Sequence, residues 1–67
     1  MNVLLNNREE SFEESDLTIS QLLELKKYTF KMLVIKVNGI LVKKDEYDTF
    51  TVNGGDDIQV LHLISGG

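Results

Sequence analysis

Leu17-Thr18-Ile19-Ser20-Gln21-Leu22-Leu23-Glu24-Leu25-Lys26-Lys27-Tyr28 is the stretch on which the fold turns. Thr18 is a good helix N-cap, and Gln21 stands three residues later, where its side chain can return a hydrogen bond to the cap backbone. Leu17 precedes the cap and Leu22 takes the fourth helical position, so a hydrophobic staple is available as well. Ile19, Leu22 and Leu23 recur at helical spacing and form one apolar face. Lys26 and Lys27 fall in the last turn, where cations suit the helix dipole. The pattern predicts a helix from Ile19 to Tyr28 with one face to bury.

The flanks read as strands. Upstream, Met1, Val3 and Leu5 alternate with Asn2, Leu4 and Asn6, the period of a half-buried strand. Asn6-Asn7 is a hairpin turn, since asparagine tolerates positive φ. Arg8 to Glu13 returns as a second strand, polar apart from Phe12 and so suited to an edge. Downstream, Leu33, Ile35 and Val37 alternate with Val34 and Lys36 in a third strand. Asn38-Gly39 is the strongest hairpin cue in the chain, and Ile40, Leu41 and Val42 continue beyond it. Lys43 to Asp48 fits a single helical turn or a loop. Thr49 to Val52 is a short β-prone run, Asn53-Gly54-Gly55-Asp56 a tight turn, and Ile58 to Ile64 the last strand.

Strand hairpin, helix, then further strands give an α+β class with the helix packed on one face of a mixed sheet. This is the order of a β-grasp, also called the ubiquitin-like fold. The expected domain spans residues 1–63, followed by a flexible tail, residues 64–67. The expected core is Val3, Leu5, Ile19, Leu22, Leu23, Leu33, Ile35, Val37, Ile58 and Val60.

Composition limits the chemistry. The 67 residues contain no cysteine, which excludes disulfides and thiolate metal sites, and only one histidine, His62. Stability must therefore come from packing, with little margin in so small a core. A net charge of −4 has the wrong sign for a groove-seeking nucleic-acid binder. The longest purely apolar run, Met32 to Ile35, is far too short for a membrane span or signal core, so the cytoplasm is the expected location. Glu9, Glu10, Glu13, Glu14 and Asp16 form an acidic run that reads either as a solvated arm or as a docking face for a basic partner. Asp56 and Asp57 are a cation candidate or the acidic end of a turn. His62 is a proton shuttle or a surface residue, and Lys43 and Lys44 dock an acidic partner or line a solvated loop. No phosphate-cradling glycine loop, catalytic triad or carboxylate pair is present, so no bound cofactor or metal is expected.

The chemistry points instead to Ile64-Ser65-Gly66-Gly67. Gly66-Gly67 has no side chains and is narrow and flexible. Four extended residues reach at most ~13–14 Å, enough to thread a carboxylate into another protein's cleft. Joined to the α-phosphate of ATP, a carboxylate becomes an acyl-adenylate that sulfur or nitrogen nucleophiles attack. In a chain without cysteine, carried sulfur has to ride on the terminus as a thiocarboxylate. The alternative is a frayed end, but Leu61, Leu63 and Ile64 make an apolar lead-in that a frayed end has little reason to carry. Alternation from Ile58 and Val60 sends Leu61 and Leu63 to the face away from the helix. Two exposed leucines beside the tail suggest a partner-docking patch, unless a bulge near Leu61 turns one inward.

The chain resembles the thiamine-biosynthesis sulfur carrier family, ThiS. The resemblance rests on the opening Met1-Asn2-Val3-Leu4-Leu5-Asn6, the central Val37-Asn38-Gly39-Ile40-Leu41-Val42, Tyr47, Gly55-Asp56, and the closing Ile64-Ser65-Gly66-Gly67, in that order and at that length. It departs from the common pattern at Lys43, where proline is frequent, and at Ser65, where alanine is frequent. The resemblance implies a protein substrate and not an enzyme. Gly67 would be adenylated by a partner similar to ubiquitin-activating enzymes, with ATP bound by that partner. It would then be thiolated from a sulfur donor such as a cysteine desulfurase, and would deliver sulfur to thiazole synthase. The small subunit of molybdopterin synthase and a ubiquitin-like protein modifier are the alternative readings.

Overall fold

The computed structural model describes residues 1–28 and 32–62. Strand β1 (Asn2–Leu5) turns into β2 (Arg8–Ser11) through Asn6 and Asn7, both at positive φ (51° and 68°). Two consecutive left-handed residues make the tight turn whose twist matches paired strands. The same device joins β4 (Leu33–Val37) to β5 (Ile40–Val42), with Asn38 at φ 52° and Gly39 at φ 81°. The final strand, β7 (Asp57–His62), enters the middle of the sheet. The order is β2-β1-β7-β4-β5, with β1 and β7 parallel and every other neighbouring pair antiparallel. The sheet is mixed, and the polar β2 lies at its edge, as expected.

The helix, α1 (Ile19–Leu25), begins where the sequence places it. Gln21 N–H donates to Thr18 Oγ1 at 3.1 Å, and Thr18 N–H donates to Gln21 Oε1 at 2.9 Å. The end differs from the expected Tyr28. Lys27 sits at φ 57°, and Lys27 N–H bonds Glu24 O (3.1 Å) while Tyr28 N–H bonds Leu23 O (2.8 Å). These paired bonds are a Schellman end, usually built on glycine. Here a lysine occupies the left-handed position, so the stop has no sequence marker. Lys26 and Lys27 therefore lie past the last turn. Lys26 Nζ instead meets Glu10 Oε1 at 2.8 Å, tying the helix end to β2.

A second sheet pairs a strand the sequence reading missed with the β-prone run it placed at Thr49 to Val52. β3 (Asp16–Thr18) pairs antiparallel with β6 (Thr51–Asn53), placing Leu17 opposite Val52. Leu17 thus serves in a strand as well as preceding the cap. The second strand also ends two residues before the expected Glu13. The Lys43–Asp48 segment contains one 3-10 turn, Lys44–Glu46. It holds the start of α1: Ser20 N–H donates to Tyr47 O at 2.9 Å, and the Ser20 hydroxyl donates to Asp48.

The core comprises Val3, Leu5, Leu17, Ile19, Leu22, Ile35, Val37, Val42, Val52, Ile58 and Val60. Eight of the ten expected core residues are in it. The other two, Leu23 and Leu33, are half-buried and pack against it from outside. Leu17, Val42 and Val52 are additions, all on strands of three residues, too short for alternation to show. No buried polar side-chain atom among the described residues lacks a hydrogen-bond partner.

Candidate functional site: the root of the tail and the open sheet face

The last strand is held on both sides almost to its end. On one side β4 pairs with it through Leu33 opposite His62, Val34 opposite Leu61 and Ile35 opposite Val60. The other neighbour, β1, ends at Leu5, and there Asn6 takes over. Its N–H donates to Ile58 O (2.9 Å), its Nδ2 donates to Val60 O (3.1 Å), and its Oδ1 accepts from Val60 N–H (2.7 Å). One side-chain amide thus supplies both hydrogen bonds to Val60 that, in a continued parallel ladder, two different residues of β1 would make. Sequence reading assigns Asn6 only to a turn. Its clamp on a strand 54 residues away has no local signal.

The other end of β7 is fastened by the second hairpin's asparagine. Asn38 N–H donates to Asp57 O (2.7 Å), Asn38 Oδ1 accepts from Asp57 N–H (2.9 Å), and Asn38 Nδ2 donates to Asp56 Oδ1 (3.1 Å). Asp56 Oδ2 also accepts from Asn53 N–H at 2.8 Å, which closes the turn before β7. Of the two readings of Asp56 and Asp57, these bonds favour the turn. Among the described residues no group of histidine and acidic side chains is placed to hold a metal.

Leu61 lies on the face away from α1 and is 48 % exposed. The pairing around it runs in unbroken one-to-one register, so no bulge turns it inward. Half-buried Val34 stands directly opposite, and Leu41, on β5, is exposed on the same face. Between them Lys36 is flanked by Leu41 on one side and Gln59 on the other. The structure therefore gathers Val34, Leu41 and Leu61 around Lys36 at the root of the tail. Leu63, Ile64, Ser65, Gly66 and Gly67 lie outside the described residues.

Two titrating groups are perturbed, both away from this face. The hydrogen bond to Glu10 raises the Lys26 pKa above its ordinary value, against a smaller opposing effect of burial. Burial raises that of Tyr47.

The ThiS family model matches residues 3–67, nearly the whole length and through both final glycines. The chain belongs to the ThiS family. Its fold agrees: the crystal structure of the thiamine biosynthesis protein ThiS from Geobacter metallireducens superposes with a TM-score of 0.90 at 25 % identity, all of both chains being covered. An NMR solution structure of a thiamine biosynthesis protein from the same organism gives 0.79 at 25 % identity, over all of this chain and 88 % of that one. No curated protein sequence matches. As a ThiS-family member the chain has the β-grasp architecture expected from its element order.

Proposed function

We propose that this chain is a sulfur carrier for thiamine biosynthesis, a protein substrate whose working group is the Gly67 carboxylate. The observation that carries the reading is the ThiS-family match running through Gly66 and Gly67. The lack of cysteine supports it, because sulfur then has no side chain to ride on. A partner related to ubiquitin-activating enzymes binds ATP, and the carboxylate oxygen attacks the α-phosphate with loss of pyrophosphate. The terminal sulfur of a persulfide on a donor such as a cysteine desulfurase then displaces AMP, and a thiol cleaves the resulting acyl disulfide, leaving a thiocarboxylate on Gly67 and a disulfide on the donor side. Thiazole synthase takes the sulfur, and an oxygen from its substrate or from water takes the place of the sulfur on the Gly67 carbonyl carbon, which restores the carboxylate. The chain holds no cofactor in this cycle, and the cytoplasm is where we place it. Among the described residues no helix is long and apolar enough to cross a membrane.

Partner recognition is assigned to the open sheet face, with Leu61 as its anchor and Leu63 two residues on. Rigid support follows from the two-sided hold on β7: a tail rooted in a fixed strand delivers its end with less conformational entropy to lose than one rooted in a loop. Serine at residue 65 and isoleucine at 64 complete the neck behind Gly66.

The direct test is intact-mass analysis after incubation with a cognate adenylating enzyme, ATP and a sulfur source. An oxygen-for-sulfur exchange localised to Gly67 is expected, and its loss on deleting Gly67. Unchanged mass with each cognate enzyme would overturn the reading. Rescue of a deletion strain by a thiazole precursor, and not by a molybdenum-cofactor precursor, separates this role from that of a molybdopterin synthase subunit.

A further inference from the structure

Two asparagines of the chain stand before glycine, in Asn38-Gly39 and Asn53-Gly54. An amide side chain beside an unhindered backbone nitrogen is a reactive pair, because that nitrogen can attack the side-chain carbonyl carbon. Glycine, having no Cβ, leaves the approach open. Asn2, Asn6 and Asn7 precede Val3, Asn7 and Arg8, whose side chains obstruct it. Both Asn-Gly pairs are exposed and lie at turns, so neither local sequence nor solvent access tells them apart. Hydrogen bonding does. Asn38 is held through both ends of its amide: Oδ1 accepts from Asp57 N–H at 2.9 Å, and Nδ2 donates to Asp56 Oδ1 at 3.1 Å. The second of these is a bond to a carboxylate and so the stronger kind. Among the described residues the Asn53 side-chain amide makes no hydrogen bond, and Gly54 N–H meets no acceptor. The peptide group joining Asn53 to Gly54 is restrained by one long bond, from Asp56 N–H to Asn53 O at 3.2 Å. Asn53 N–H is held by Asp56 Oδ2 at 2.8 Å, but on the side of Cα away from the reacting atoms.

We propose that Asn53 is a site of spontaneous modification in the folded protein, its amide lost to water through a cyclic imide, and that the fold protects Asn38 from the same change. The Gly54 nitrogen attacks Asn53 Cγ, and its proton passes through solvent to the departing Nδ2. A new C–N bond forms, the Cγ–Nδ2 bond breaks, and ammonia leaves. Water then opens the ring at either carbonyl, giving aspartate or isoaspartate. One water enters, one ammonia departs, and nothing is oxidised or reduced. Opening at the main-chain carbonyl lengthens the backbone by one carbon in the turn that leads into β7. Either product adds a negative charge opposite Asp16, the partner of Asn53 in the β3–β6 pairing, and close to Asp56. Like charges so placed disfavour the pairing, so the modified chain is less stable, at the end of β7 away from the tail. For Asn38 to react, its amide has to leave two bonds, one of them charge-assisted. The extra bond slows it roughly tenfold or more relative to Asn53.

The experiment incubates the full chain at mildly alkaline pH, folded in one sample and in denaturant in another. Conversion at each asparagine is read by peptide mapping, with fragmentation that distinguishes aspartate from isoaspartate. In the folded chain Asn53 is expected to convert roughly tenfold faster than Asn38, or more. In the unfolded chain, where both are free, the two rates are comparable. Gly54→Ala provides the second arm. A Cβ at Gly54 meets Met1 Cβ at 3.7 Å and Asn2 O at 3.8 Å, both ordinary contacts, so the variant folds. It should slow conversion at Asn53 several-fold and leave Asn38 as it was. Equal rates at the two sites in the folded chain, or a faster Asn38, would overturn the proposal. So would conversion at Asn53 that is indifferent to Gly54→Ala, which would remove the Gly54 nitrogen from the route. A preference for Asn53 that persists in denaturant would show that local sequence, and not the fold, protects Asn38, and would overturn that half of the proposal.

Discussion

Leu4 and Leu5 are adjacent on one strand, yet Leu5 is 3 % exposed and Leu4 43 %. The same contrast separates Val60, at 8 %, from Leu61, at 48 %. The two faces of the sheet are built from similar apolar residues and differ in what covers them. Beneath the helix, Val3, Leu5, Ile35, Val37, Ile58 and Val60 pack against Ile19 and Leu22 and supply the stability. On the open face Leu4, Leu41 and Leu61 remain in water. Strand alternation thus lets one short element pack on one face and, on the proposed reading, meet a partner with the other. A change on one face should leave the property of the other almost untouched.

The largest effect should come from the covered face. Leu22→Ala removes a side chain with no solvent exposure and should destabilise by roughly 2–5 kcal/mol, read by chemical denaturation. At temperatures where the variant remains folded, its KM for activation should be unchanged. A raised KM in the folded variant would break the separation of faces.

Next is the device that joins the two functions. Asn6→Ala deletes the clamp on Val60 and places alanine at φ 51°. A loss of about 1–3 kcal/mol is expected, since Val60 N–H is left without its acceptor. Asn6→Gly separates the parts, because it relieves the backbone strain and still lacks the amide. Amide hydrogen exchange at Val60 should quicken in both. Protection in the glycine variant equal to that of the parent would remove the clamp from the account.

On the open face, Leu61→Asp should lower stability by no more than about 1 kcal/mol, the span of strand preferences at a solvent-facing site. Thiolation should weaken severely. Leu4→Asp, further from the tail on the same face, should match it in stability and leave thiolation nearly normal. A melting collapse in Leu61→Asp would place Leu61 in the core.

The smallest effect is expected from pH. Lys26 has a raised folded-state pKa because of Glu10, so its contribution is complete below the ordinary lysine value and is lost as pH rises through the folded one. Tyr47 acts in the same direction: burial favours its neutral form, and the unfolded chain gains by ionising once pH passes the ordinary tyrosine value. Melting temperature should therefore be level between about pH 7 and 9 and decline above about pH 10. Lys26→Met and Tyr47→Phe should each flatten part of that decline, and neither should alter thiolation.

What could be read from the chain by itself is what short-range contacts specify. Asn6-Asn7 and Asn38-Gly39 dictate tight hairpins because few residues tolerate two successive positive φ values. Thr18 and Gln21 dictate the helix start because their hydrogen bonds close within three residues. Alternation places Val3, Leu5, Ile35, Val37, Ile58 and Val60 on one face and Leu61 on the other. The Gly66-Gly67 end was legible for the same reason, being a property of two adjacent residues. Tertiary structure decided the rest. β3 is three residues long and becomes a strand only because Leu17 meets Val52 of β6, the partner that the β-prone run at Thr49 to Val52 had marked without naming its neighbour. The helix stops at Leu25 through a left-handed lysine that no propensity favours. Asn6 becomes a clamp only when β7 is laid beside β1, and Leu41 and Leu61 share an open face only when β5 and β7 flank β4. Each of these depends on residues far apart in the chain, whose contacts are chosen by burial of the whole core and leave no periodic trace in the sequence.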